Sequence, residues 1–232
     1  MITARYVRGA AAISLILNAV LSVIAIALMP AFAESSAKFL EAIDAAGTTA
    51  TISAATFVIA QLPFIIAVLG LAHLAGIRAP ILAIIGGTIA VIGGFGHAVF
   101  GGTQLLQLSM AADSANHGVY AALLDGEMPL PLMILMMCGT AGTVLGLLLL
   151  GVALLRAKVG PRWVPYAIWL WLVVEFVGSG ITEWATLASG LLYLGTLGTL
   201  AVTVWRSPLA VWASAEATVA PRPAEALTEP VR

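Results

Sequence analysis

Charge is what this chain lacks. Of 232 residues only 10 are Lys or Arg and 11 are Asp or Glu, so 9% are charged, where a soluble domain carries about 25%. Hydrophobic residues make up 61% of the chain and the mean hydropathy is +1.07. So few polar groups cannot cover the surface of a compact soluble fold. That excludes a soluble enzyme, a nucleic-acid binder and a disordered chain. Cysteine is nearly absent too. The single Cys138 excludes an intrachain disulfide and with it a disulfide-stapled secreted domain. Histidine is scarce: of three, only His73 and His97 fall in apolar stretches, near opposite ends of them, so facing axial haem ligands are not expected. There is no His-Glu-x-x-His helix, no Lys inside an apolar run for a Schiff base, no Arg-rich span and no phosphate-binding glycine loop. What remains is an integral membrane protein for which the sequence implies no cofactor, no metal and no catalytic residue.

The few charges then serve as boundaries. Residues 9–33, 45–77, 79–112 and 128–155 contain none, and 163–205 contain only Glu175 and Glu183. About 20 apolar residues cross about 30 Å of hydrocarbon. The last run is long enough for two spans with a reversal at Gly178-Ser179-Gly180, where glycines ease a tight turn. The fold expected is an all-α, polytopic transmembrane bundle of six spans at about 10–30, 51–74, 80–103, 129–154, 163–179 and 183–205, followed by a largely disordered tail over 207–232. With that count, Arg5, Arg8, Arg78, Arg156, Lys158, Arg162, Arg206, Arg222 and Arg232 share one side and only Lys38 takes the other. Loops rich in Lys and Arg stay in the cytoplasm, so both ends of the chain are expected inside. A five- or seven-span count scatters these charges over both faces. Tyr6, Trp163 and Trp205 at one boundary and Trp184 at the other agree with it. An alternative for span 1 is a signal peptide cleaved after Ala31-Phe32-Ala33, but its apolar stretch is longer than signal peptides use.

Outside the spans, residues 37–46 place Phe39, Leu40 and Ile43 at helical spacing, as in a short helix on the membrane surface. A second outer loop over about 104–128 breaks at Asn116-His117-Gly118 before Val119 to Leu124. A short interfacial helix is expected around Trp212. Within span 3, Gly86, Ala90, Gly94, Ala98 and Gly102 recur every four residues. Such a ridge admits a neighbouring backbone closely, and it puts span 3 near the bundle centre. Span 4, with Gly139, Gly142, Thr143 and Gly146, is its expected partner.

Glu175 is the leading candidate for chemistry. It falls four to six residues below the outer end of span 5, roughly 6–9 Å deep, and shares a helical face with Trp171 and Ser179. Ionisable groups at depth are costly and are usually paired, neutral or facing water. His97 reaches a comparable depth in span 3. A Glu175–His97 pair is able to relay a proton, hold a cation or ligate a metal. Gln61, Gln104, Gln107 and Asn18 lie where they line the same region, and Glu183 opens span 6. Each has a structural rival. A protonated Glu or a lone His binds a neighbouring helix, the amides make interhelical bonds, and Thr182-Glu183 caps a helix N-terminus.

The short Arg-bearing N-terminal segment, the two long outer loops and Pro161-Arg162-Trp163-Val164-Pro165 leading into span 5 resemble the broad bacterial families of six-helix membrane proteins of unknown function, over about residues 5–206. The resemblance implies a layout and no site residues. The expectation is a multi-pass protein of the bacterial cytoplasmic membrane, non-enzymatic, partnered by the lipid bilayer and by further copies of itself or other membrane subunits, and not by nucleic acid. The alternatives are a small transporter or proton-coupled permease with its site at Glu175 and His97, and a membrane enzyme using Glu175 as acid or base.

Overall fold

A computed structural model describes residues 2–30, 33–178 and 181–213, apart from the Glu183 side chain. Ala31 and Phe32 of the candidate cleavage site, Ser179 and Gly180 of the reversal, and residues 214–232 lie outside that set. The described chain is helical without strands: α1 (Ile2–Ala27), α2 (Ser36–Ala46), α3 (Thr48–Gly76), α4 (Pro80–Ala112), α5 (His117–Leu124), α6 (Leu130–Ala157), α7 (Trp163–Phe176) and α8 (Glu183–Arg206), with a short 3-10 turn at Leu209–Trp212. Five of these, α1, α3, α4, α6 and α8, are long and apolar enough to cross a membrane.

Their surfaces are inverted relative to a soluble bundle. Ile59, Leu62, Ile84, Leu145, Leu170 and Leu191 are exposed. The inward faces mix small residues, Ala11, Ala19, Ala60, Ala83, Ala90 and Ala153, with large ones such as Leu15, Leu150 and Leu200, all buried. Large apolar residues facing out, with many alanines among the inward residues, suit a bundle in lipid, where helices associate by close backbone approach.

Helices α1, α3, α6, α7 and α8 each pack on the next and close a ring, and α4 lies in the outer groove between α3 and α6. Span 3 of the sequence reading, which is α4, is therefore not central. It also does not end near 103. Its 33 residues span about 50 Å, so its last turns project past the bundle. Span 5 is shorter than expected. Helix α7 stops at Phe176 after 14 residues, about 21 Å, which leaves Glu175 in its last turn rather than deep in a span. The Gly178 carbonyl then accepts from the backbone N–H groups of Ile181 and Thr182.

One end of the bundle is basic. There the Arg8 guanidinium donates to the Ser207 carbonyl at 2.9 Å and stacks over the Trp205 ring. His73, exposed, has its Nε2 2.8 Å from the Val211 carbonyl and its ring against Trp212. Trp212 is buried and donates to Ser207 Oγ. Residues 207–213 thus fold back onto α1 and α3 instead of beginning a free tail.

The other end carries a cap. Ser35 caps α2, Gly47 ends it at φ 53°, and Leu40, Ile43, Ala50 and Ala111 form a small second core with Phe39 and Tyr120. The α2 segment therefore packs on α4 and α5, so protein covers part of the face expected to meet lipid. Asp113 accepts from Asn116 and from the Tyr120 hydroxyl, both at 2.9 Å. Those two bonds hold the Asp113 carboxyl below the usual carboxylate range, and the same bond pushes the Tyr120 phenol up. Ser36 bonds Asp125 at 2.5 Å across the two loops.

Candidate functional site

Helix α8 carries a row of interior polar groups. Ser189, Tyr193 and Thr196 stand at i, i+4 and i+7, one helical face, and all three are buried. The Tyr193 hydroxyl donates to Asn18 Oδ1 at 2.5 Å, and Asn18 Nδ2 donates to the Ala60 carbonyl at 3.0 Å. One amide thereby ties α8 to α1 and α1 to α3. One turn nearer the acidic end, Ser189 donates to the Glu175 carboxyl and ties α8 to α7. The Trp171 ring lies against Tyr193 with centroids 4.4 Å apart.

Below these groups the ring encloses a chamber lined almost wholly by carbon, among others from Leu15, Phe64, Val68, Leu147, Ile168 and Leu200. All five ring helices contribute to it and α4 does not. Its volume is about 20 Å³, room for a single water. Asn18, Tyr193, Thr196 and Trp171 also reach its wall. The Trp171 indole N–H is buried with no partner among the described residues.

The pair expected from sequence does not form. His97 sits in the α3–α4–α6 groove, with Nδ1 3.3 Å from Thr143 Oγ1 and its ring edge-on to Phe57. Glu175 is on the α7–α8 side, bonded to Ser189. Helix α7 packs on α6 and α8, whereas α4 packs on α3 and α6, so α6 stands between the two residues. Gln61 is buried and bonds back to the Phe57 carbonyl of its own helix at 2.9 Å. Gln104 is half-buried on α4, away from Glu175, and makes no hydrogen bond among the described residues. Glu183 opens α8, with Thr182 extended at the N-cap position but making no side-chain cap bond. Among the described residues no cluster of His, Cys, Asp and Glu has the makings of a metal site.

The small-residue ridge on α4 also divides. Gly86 and Ala90 face α6, Gly94 meets Phe64 and Ile65 of α3, Ala98 is half-buried and Gly102 faces open space. A row of i+4 steps drifts about 40° per step around a helix of 3.6 residues per turn, so five such residues cannot share one straight contact. The actual seam runs Gly86, Ala90, Gly93, Gly96. It meets Leu150, Gly146, Gly142 or Thr143, and Gly139 of α6 in antiparallel order. A Cβ added at Gly93 or Gly96 would lie 2.3 Å from a backbone nitrogen of α6.

Sequence reasoning missed Tyr193, Ser189 and Thr196. The available signal was their spacing, three polar side chains on one face of an otherwise apolar helix. Comparison with family models, curated proteins and solved structures yields no match.

Proposed function

We propose that this protein is a non-enzymatic component of the bacterial cytoplasmic membrane, with six spans and both ends of the chain inside. The observation that carries this reading is how four polar side chains of the apolar helices are engaged. Asn18 is held by Tyr193 and Ala60, Gln61 by its own helix, His97 by Thr143 and Glu175 by Ser189. A reaction or binding site needs convergent polar groups around a space of substrate size, and the central chamber has room for only one water. The six-span count takes α7 with the following turn as the short fifth span. It is supported by nine of the ten Lys and Arg falling on one side. A retained first span is supported by Asn18, which links α1 to α3 and α8.

Two measurements test this. Single cysteines introduced at Ser36 and at Arg162 on a Cys138→Ala background should react with an impermeant thiol reagent from opposite faces of the membrane. Labelling from the same face overturns the topology. Substrate turnover by the purified protein overturns the non-enzymatic reading.

A second reading, a small proton-coupled permease, is favoured by one observation: half-buried Glu175 lies one turn from Trp171 on the chamber wall. It retains Glu175 and Ser189 and drops His97. Proton flux in proteoliposomes that is lost in Glu175→Gln supports it, and equal flux in variant and wild type removes it.

A further inference from the structure

The turn between α6 and α7 holds a cleft of about 390 Å³ that none of the interior groups explains. Its accessible lining combines Leu155, Val159 and Tyr166 with the exposed cations Lys158 and Arg162, while Leu154 and Pro165 lie fully buried behind them. Among the described residues neither cation has a hydrogen bond or ion pair, and the single ion pair, Lys38–Glu34, is at the opposite end of the bundle.

Three features build the cleft. Lys158 ends α6 in the left-handed conformation at φ 58°, the position where glycine is the least strained choice. It is the one non-glycine residue at positive φ among the described residues. Its backbone N–H donates to the Leu154 and Leu155 carbonyls there, so the turn closes the helix and leaves the side chain exposed at the cleft. Gly160, at φ 73°, seats the turn against α8, since a Cβ there would lie 3.1 Å from Thr203 Oγ1. Helix α7 then starts at Trp163 with no side-chain cap and no acidic residue in its first turn, although the Val164 N–H already donates to the Pro161 carbonyl and Pro165 has no N–H to offer. Exposed Trp163 and Tyr166 flank this helix start, at the height where aromatic rings meet headgroups.

We infer that this cleft binds the phosphate of an anionic phospholipid, with Lys158 and Arg162 on the headgroup and Leu155, Val159 and Tyr166 along the start of an acyl chain. Basic pockets beside spanning helices on the cytoplasmic side take such headgroups, and apolar lining beside the cations favours a lipid over a free anion. The inference rests on the topology proposed above.

The test is native mass spectrometry of the full chain in detergent, titrated with phosphatidylglycerol, phosphatidylcholine or inorganic phosphate. Wild type should retain phosphatidylglycerol at least fivefold over phosphatidylcholine, and inorganic phosphate should not displace it. Lys158→Ala with Arg162→Ala should lose that preference, while Arg5→Ala, an exposed cation at the same end, should keep it. Lys158→Gly separates function from folding: it should raise Tm by relieving the strained position, yet reduce lipid retention. Equal lipid binding by the double variant overturns the inference, as does equal loss in Arg5→Ala or full displacement by inorganic phosphate. Impermeant labelling at Arg162 from the outer face breaks the underlying topology instead, so the two failures are distinguishable.

Discussion

The α4–α6 seam and the five-helix ring are both helix packings, built in opposite ways. At the seam, backbone meets backbone. Gly86, Ala90, Gly93 and Gly96 face Leu150, Gly146, Gly142 or Thr143, and Gly139 with no space for even one added carbon. Around the ring, side chains hold the helices apart and leave a chamber, and specific polar bonds such as Tyr193–Asn18 set the geometry. The seam obtains its cohesion from close dispersion contact, which in lipid replaces the hydrophobic driving force. The ring obtains its register from hydrogen bonds, which are directional and tolerate looser packing.

The contrast is open to attack from both sides. The largest effect is expected at the seam. Gly93→Ala or Gly146→Ala forces a carbon to within 2.3 Å of a backbone nitrogen of the facing helix. Each should cost about 3 kcal/mol, at the upper end for overpacking, read as a drop in Tm and a loss of monodisperse protein. If both variants fold like wild type, the seam is not the rigid element described here.

Next comes the ring's polar link. Asn18→Leu strips the Tyr193 hydroxyl and the Ala60 carbonyl of their partner and should cost about 1–2 kcal/mol, the range for interhelical bonds in membranes. A double-mutant cycle with Tyr193→Phe should show strong coupling, and independent effects would dissolve the link.

The chamber should be forgiving. Ala67→Val adds carbon facing the void, so its stability should stay within about 1 kcal/mol of wild type. Gly102→Ala, facing open space, should change stability by at most about 1 kcal/mol and in the stabilising direction. A large loss at either position removes the distinction between seam and ring.

The subtlest effect is in the cap. Asp113 has a lowered carboxyl value, so its bonds contribute above the ordinary carboxylate range and are lost as pH falls through the depressed folded value. Tyr120 has a raised phenol value, so the same bond is fully present below about pH 10 and is lost as pH rises through the folded value. Amide exchange over residues 113–124 should be slow between those limits and faster outside them. Asp113→Asn should flatten the acid side of that profile.

How much of this was legible beforehand differs residue by residue. The scarcity of Glu, Asp, Lys and Arg located the long helices, because lipid excludes charge whatever the tertiary arrangement. The helix at 37–46 was legible from the spacing of Phe39, Leu40 and Ile43, but its packing on α4 and α5 in place of lipid was not. Glu175 stood out in the sequence, since it is a carboxylate in an apolar run. Its partner was not legible: His97 and Ser189 are both polar residues on other helices, and nothing in one chain says which neighbour faces which.

The sequence by itself therefore determined the environment, the helices and the sidedness of charge, all of which follow from one-body transfer of side chains between water and hydrocarbon. Only the tertiary structure decided that α4 is peripheral, that its glycine contact is a seam of mixed i+3 and i+4 steps, and that Glu175 answers to Ser189. Those are pairwise matters. They depend on helix rotation and neighbour choice, which in lipid are settled by close packing and hydrogen-bond partners rather than by hydrophobicity, the one quantity a linear sequence displays plainly.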